Sequence, residues 1–420
     1  MIIAKKSDKN FATRLEEVEL KHWLTSGKTI DSVFKLLNLN DETGNILKSP
    51  AFSTWVSYAT MLDKERPYDI LLKTLLARYN DQGVAKLVAD YPSTPMSEKL
   101  EAALLKSWRN DAKSPDDVFK LLSLSKENGV DLLKSVELRP WISYVGSLKK
   151  NPDELLLKEL KIRNNDRDVA NMLVMAKSDW RSKPIASRLE NSLQTEWFNE
   201  RKTAKDIFVL LKPEKDSDLV FDSPVWSTWS SYLTRVNKQN PDEQMYTTLK
   251  TQFGEEKLKT MVSKATENPH TKTIADKLQM EIWINDGKTN DDIFKLLKLD
   301  KAGEQFYESP MLSTWLSYVK KLTNLKGKPD DLAGISYLEK QFGDANLARI
   351  LGVEKQKKNT ATFKIVRELQ NAQFKRWSAR NMNIEKLQRM LLRDQSDMPA
   401  NLRVELDFLD FYKTKGVTGI

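Results

Sequence analysis

Apolar residues recur along this chain at helical spacing, and nowhere do they alternate as a half-buried strand requires. In TIDSVFKLL, residues 29–37, Val33, Phe34, Leu36 and Leu37 fall at i, i+1, i+3 and i+4, a stripe on one helical face. Thr29 precedes the run and Ser32 follows it by three; Ser114 and Asp117, Thr203 and Asp206, and Thr289 and Asp292 repeat the arrangement. This approximates a capping box, in which a hydroxyl accepts from the third backbone N–H of the helix, with Ser or Asp where Glu is usual. Pro115 takes the first helical position, where no N–H is needed. Another predicted helix opens at Ser49-Pro50, Ser223-Pro224 and Ser309-Pro310, read as N-cap and first position. It carries Phe52, Trp55 and Tyr58 at steps of three, along one side. Further amphipathic runs cover 70–91, 245–265 and 335–353. Gly254 and Gly343 break the last two at the same place, where glycine can adopt the left-handed conformation that ends a helix.

These elements repeat. In four copies a tryptophan precedes a phenylalanine by eleven residues: Trp23 and Phe34, Trp108 and Phe119, Trp197 and Phe208, Trp283 and Phe294. A second tryptophan follows the first by 32 or 33 residues and is itself followed three residues later by tyrosine. These pairs are Trp55 and Tyr58, Trp141 and Tyr144, Trp229 and Tyr232, and Trp315 and Tyr318. A fifth, degenerate copy has Trp377, then Leu409 in the second tryptophan position and Tyr412 in the tyrosine position. Terminal repeats are commonly atypical because one face has no neighbour. The expectation is an all-α fold, a linear tandem array of helical-bundle repeats of about five helices each. The recurring aromatics read as bundle cores, since they share faces with Leu and Val. The functional alternative is a stacking surface for bases.

Composition narrows the chemistry. The 420 residues contain no cysteine and two histidines, which excludes disulfides, thiolate metal sites and a thiol nucleophile. His22 and His270 have no partner at ligand spacing, so no metal site or cofactor is expected. Glycine, at 14 residues, is scarce for a phosphate-cradling protein. SGKT at 26–29 and DGKT at 286–289 lack the upstream glycine and strand of a phosphate-binding loop, and read as helix exit plus N-cap. Asp116, Asp117, Asp291 and Asp292 lie in first helical turns, where negative charge opposes the helix dipole. No catalytic residue is proposed.

The net charge is +9, and residues 354–420, with 14 lysines and arginines against 8 acids, carry most of it. Lys355, Lys357, Lys358, Arg376, Arg380, Arg389 and Arg393 form the single basic stretch that suits nucleic acid. A solvated face of the last bundle is the simpler reading. No run is long and apolar enough to span a membrane, and MIIAKKSDKN has no leader-like apolar segment.

The motif set resembles a known family. The phrase W…KT.DDVFKLL.L followed by SP…STW.SY is similar to the W and Y motifs of oomycete RXLR effectors, secreted virulence proteins of Phytophthora and its relatives. The intervening LL…L…Y.D..VA.LV looks like their L motif. The resemblance implies one WY unit (1–66) and four LWY units (67–151, 152–239, 240–326 and 327–420). It departs at Val136, Pro140 and Leu409. It also implies a signal peptide and an Arg-x-Leu-Arg region ahead of residue 1, since FATRLEE lacks the second arginine. By the same resemblance the protein is a monomeric, non-enzymatic adaptor that binds host plant proteins in the cytoplasm or nucleus, with no membrane. One implied partner is the scaffolding subunit of protein phosphatase 2A with its catalytic subunit, held in place of a regulatory subunit by the unit pair at about 67–239. Nucleic-acid binding through the basic C-terminus is the alternative.

Overall fold

The computed structural model describes residues 2–39, 46–92, 94–212, 217–325, 330, 332–354, 363–392 and 398–414. The expected boundary at 326/327 lies outside these residues. All regular elements among them are helices. The chain divides into two compact units, 1–244 and 245–420.

Each repeat is built on three helices. The tryptophan helices are Ile2–Thr25, Pro95–Asn110, Lys183–Asn199, Lys272–Asn285 and Phe363–Ala379. Each is followed by a short phenylalanine helix: Ile30–Leu36, Pro115–Leu121, Ala204–Leu211, Asn290–Leu296 and, in the last repeat, Ile384–Leu392 without the phenylalanine. The tyrosine helices are Pro50–Leu62, Leu138–Ser147, Trp226–Val236, Met311–Leu325 and Met398–Thr414. Linking helices lie between repeats. The first link is one bent helix, Pro67–Asp90, and the others are pairs: Pro152–Arg163 with Asp166–Ala176, Pro241–Phe253 with Glu255–Glu267, and Ala333–Phe342 with Asp344–Glu354.

The starts follow the capping logic. Full capping boxes form at Ser114–Asp117, Thr203–Asp206 and Thr289–Asp292. At Thr29 half the box is present. Its hydroxyl accepts from Ser32 N, but the Ser32 hydroxyl turns back to the Thr29 carbonyl. Ser49 caps Pro50–Leu62 as expected. Ser223 does not cap its helix, which begins three residues later at Trp226; Trp226 is buried and packs on Phe221 and Trp229, holding Ser223 and Pro224 ahead of the first turn. Ser309 does accept from Met311 N at 3.3 Å, although the helix starts past Pro310. In the second repeat the helix starts at Leu138, which puts Pro140 in the first turn, where its missing N–H is tolerated.

Two further expectations are corrected. The breaks in the linking helices are not left-handed helical. Gly254 has φ 82° and ψ 160° and Gly343 φ 81° and ψ 144°, an extended mirror conformation that suits glycine. Asn80 takes the same path at φ 54° and ψ −177°. Leu36 does not join Val33 and Phe34 inside: it is 53% exposed, as are Leu121 and Leu296 at 36% and 56%. A helix of seven residues turns only one narrow face to its bundle, and that position lies off it.

Linking helices pack twice. Pro67–Asp90 lies on the tyrosine helix Pro50–Leu62 and on the tryptophan helix Pro95–Asn110. Pro152–Arg163 joins Leu138–Ser147 to Lys183–Asn199, and Ala333–Phe342 joins Met311–Leu325 to Phe363–Ala379, in the same way. The core is therefore continuous past a single bundle. One apolar cluster runs from Trp283 through Trp315 and Leu338 to Val366 and Leu369.

Candidate functional site

The recurring aromatics form one geometry four times. The tryptophan of the first helix meets the tyrosine edge-on: Trp23–Tyr58 at 5.9 Å, Trp108–Tyr144 at 5.4 Å, Trp197–Tyr232 at 5.6 Å and Trp283–Tyr318 at 5.8 Å between ring centroids. The phenylalanine meets the second tryptophan likewise: Phe34–Trp55 at 4.9 Å, Phe119–Trp141 at 5.3 Å, Phe208–Trp229 at 4.9 Å and Phe294–Trp315 at 5.1 Å. Such edge-to-face contacts suit the ring quadrupoles. All sixteen side chains are buried.

Their polar ends are paired. The indole N–H groups of Trp55, Trp141, Trp229 and Trp315 donate to the carbonyls of Ile30, Pro115, Ala204 and Asn290, in the first turn of the phenylalanine helix. The phenols of Tyr58, Tyr144, Tyr232 and Tyr318 donate to the carbonyls of Lys28, Lys113, Lys202 and Lys288. Burial raises the pKa of these four phenols, and that of Tyr318 reaches about 12. Buried in this way, the rings present no surface for a base to stack on.

The fifth repeat keeps part of this. Tyr412 is half-buried and donates to the Met382 carbonyl at 3.0 Å, as its counterparts do. Leu409, expected to replace the second tryptophan, is only half-buried. The fully buried ring is its neighbour Phe408, which contacts Phe374, Trp377 and Tyr412. Adjacent helical positions point about 100° apart, and in this helix it is Phe408 that faces the core.

One set of polar contacts had no separate signal in the repeat spacing. The linking segments place Asp81 and Asp166 2.6 Å from the indole N–H groups of Trp108 and Trp197. Glu255, at the same place in the next link, pairs instead with Lys250 and Lys259, and Asp344 with Arg380. The buried Trp377 N–H then has no partner among the described residues.

The candidate chemistry resolves into structure. Asp117 and Asp292 are capping-box acids, while Asp116 and Asp291 pair with Lys120 and Lys295 one turn on, at 2.6 and 2.7 Å. His22 lies in the last turn of its helix, and the backbone N–H of His270 donates to Asn268. Of the basic stretch, Arg376 pairs with the buried Glu339 at 2.7 Å, Arg380 lies 3.8 Å from it, and Arg389 lies 3.6 Å from Glu385. Lys355, Lys357, Lys358 and Arg393 lie outside the described residues. Among the described residues no acidic or histidine cluster could hold a metal, and no helix is long and apolar enough to cross a membrane.

Comparisons place this architecture. A family model described as "Effector PexRD54, WY-domain" matches residues 18–59 and 278–319, the first and fourth tryptophan–tyrosine sets. RxLR effector protein PSR2 of Phytophthora sojae is 31% identical over 382 residues, covering 87% of this chain and 56% of that protein. The protein of the same name in Phytophthora infestans is 28% identical over 384 residues, covering 88% and 50%. The crystal structure of PcRxLR12 superposes with a TM-score of 0.52 at 27% identity, covering 96% of each chain. This chain belongs to the RxLR effectors with WY domains. It spans about half the length of the curated relatives it matches.

What this effector leaves on its surface differs from repeat to repeat. Leu15 and Val18 are exposed in the first, Ile162, Met175, Trp180 and Phe198 in the third, and Met398, Leu402 and Leu406 in the last. The repeat spacing did not single these residues out. Trp180 could have been found, since it lies outside both recurring tryptophan series, at a place where the second repeat has Tyr91.

Proposed function

We propose that this effector is a non-catalytic, multivalent protein-binding scaffold, secreted by the pathogen and translocated into the host plant cell, where it suppresses immunity. The supporting observation is the division of labour in the helices. Recurrent aromatics are committed to cores, so the exposed positions can vary without loss of fold, and each repeat presents its own surface. In this reading the chain is organised as units 1–66, 67–151, 152–239, 240–326 and 327–420. Within each compact unit the linking helices pack on both repeats they join, and so space the partner sites.

As one partner we propose the scaffolding subunit of host protein phosphatase 2A, held by the pair at about 67–239 in place of a regulatory subunit. That assignment comes from the family resemblance. The test is affinity capture on tagged 1–420 from plant lysate, with mass spectrometry and a phosphatase assay of the eluate. Recovery of scaffolding and catalytic subunits without a regulatory subunit is expected. Another reproducible host protein without phosphatase would keep the scaffold and discard that partner. A robust rate on a hydrolase and transferase panel would overturn the non-catalytic reading.

A further inference from the structure

Ten of the eleven tryptophans are at most 9% exposed, while Trp180 is 82% exposed. Burying an indole is among the largest apolar gains open to a side chain, so its place on the surface needs a reason. A loose loop does not supply one. The turn between Asp166–Ala176 and Lys183–Asn199 is closed by the Ser182 hydroxyl donating to the Ala176 carbonyl at 2.7 Å and by Lys183 N donating to the Asp179 carbonyl at 2.9 Å. Arg181 grips both carboxylate oxygens of Asp179 from Nε and Nη2, at 3.3 and 3.1 Å, and Lys134 Nζ lies 3.3 Å from the same carboxylate. The residues on either side of Trp180 are thus clasped to each other, and the indole stands on a preformed turn, which keeps the ordering cost of binding low.

The surroundings indicate what the turn would meet. Met175, also 63% exposed, lies in the last turn of the helix that leads into it. Arg181 and Lys183 stand beside the indole in sequence and are exposed, while Asp179 already pairs with Arg181 and Lys134, and Glu190 with Lys177. We propose that Trp180 anchors a docking turn that enters an apolar slot rimmed by carboxylates on a host protein. This rests on the scaffold reading above and gives it a residue and a partner chemistry. A single-stranded nucleic acid is the poorer fit, because such platforms stack successive bases on successive aromatics. Among the described residues the other large exposed aromatic is Phe198, about 22 Å along the helix from Lys183 and covered by Arg235 at 5.7 Å.

The test uses the full chain as bait for plant lysate with and without nuclease treatment, comparing wild type, Trp180→Ala, Arg181→Asp and, as a control, Leu296→Ala. A photoreactive residue at position 180 maps the contact. Expected are unchanged hydrogen exchange in the helices flanking each substitution and a host protein retained by wild type and Leu296→Ala. Its retention should fall about 30-fold with Trp180→Ala, as for a hot-spot aromatic, and also fall with Arg181→Asp. Crosslinks from position 180 should land beside Asp or Glu. Equal retention by Trp180→Ala overturns the inference and leaves the scaffold reading standing. Crosslinks confined to basic segments, or retention abolished by nuclease, also overturn the inference. Absence of any retained protein on wild type ends both.

Discussion

The phenol of Tyr232 donates a 2.6 Å hydrogen bond to the backbone carbonyl of Lys202, thirty residues earlier. That carbonyl lies just past the tryptophan helix, where Lys202 N closes back on the Trp197 carbonyl. One bond thus ties the last helix of the bundle to the turn between the first two. Tyr232→Phe should cost about 1–3 kcal/mol, the range for leaving a buried acceptor unpaired. Because the chain holds several cooperative units, a single melting curve is a poor readout. Hydrogen exchange should accelerate in 195–236 and stay unchanged in the other repeats; unchanged exchange in 195–236 would discount the bond.

Trp108 is fully buried with its N–H on Asp81, and Trp180 is exposed. Trp108→Ala should cost about 3–5 kcal/mol within its repeat. Trp180→Ala should stay within about 0.5 kcal/mol of wild type. Asp81→Ala, which strands the indole N–H, should fall between, at about 1–3 kcal/mol. Hydrogen exchange in 95–148 and 166–199 gives the order, and unchanged exchange in 95–148 with Trp108→Ala would return the stacking-platform reading to consideration.

Phe408 is fully buried while Leu409 is half-buried. Phe408→Ala should destabilise the last bundle by about 3–5 kcal/mol, and Leu409→Ala by clearly less. Exchange in 363–414 measures both. The reverse order would restore Leu409 to the tryptophan position.

The capping acids give a pH signature. Hydrogen bonds from the Ser114 and Thr203 hydroxyls, then their backbone N–H groups, hold Asp117 and Asp206 below the usual carboxylate range; at Asp292 the Thr289 backbone N–H leads. A lowered folded pKa contributes stability that is present above the ordinary carboxylate pKa and lost as pH falls through the folded one. The phenylalanine helices should therefore keep their caps down to pH 4 or about that, and Asp206→Asn should remove the acid-dependent part at Ala204–Leu211. At the other extreme, burial lifts the Tyr318 phenol to about 12 from its ordinary 10.0. Its contribution is full below the ordinary value and lost as pH climbs towards the folded one. A phenolate titration in which Tyr318→Phe removes no late-ionising group would contradict this.

Spacing and capping were legible in the chain because both are local or periodic. Trp23, Phe34, Trp55 and Tyr58 recur at fixed intervals, and Thr203 with Asp206 can form its box without help from distant residues. Other features depend on how helices meet. Nothing local distinguishes Leu36 from Leu37, yet the width of the bundle seam leaves Leu36 in solvent. Nothing in WSTWSSY moves the helix start from Ser223 to Trp226 except the packing of Trp226 on Phe221.

The sequence by itself determined the repeat, its helical class and the recurring aromatics that fill the first four cores, since a large aromatic at constant helical phase has one economical place to go. Tertiary structure alone decided which carboxylate meets which indole. Asp81 and Asp166 reach Trp108 and Trp197, while Glu255 turns to lysines, because side-chain hydrogen bonds depend on a few ångströms of helix placement. It also decided that Phe408 fills the last core and that Trp180 is left outside on a clasped turn, since only the assembled bundles define which face is covered.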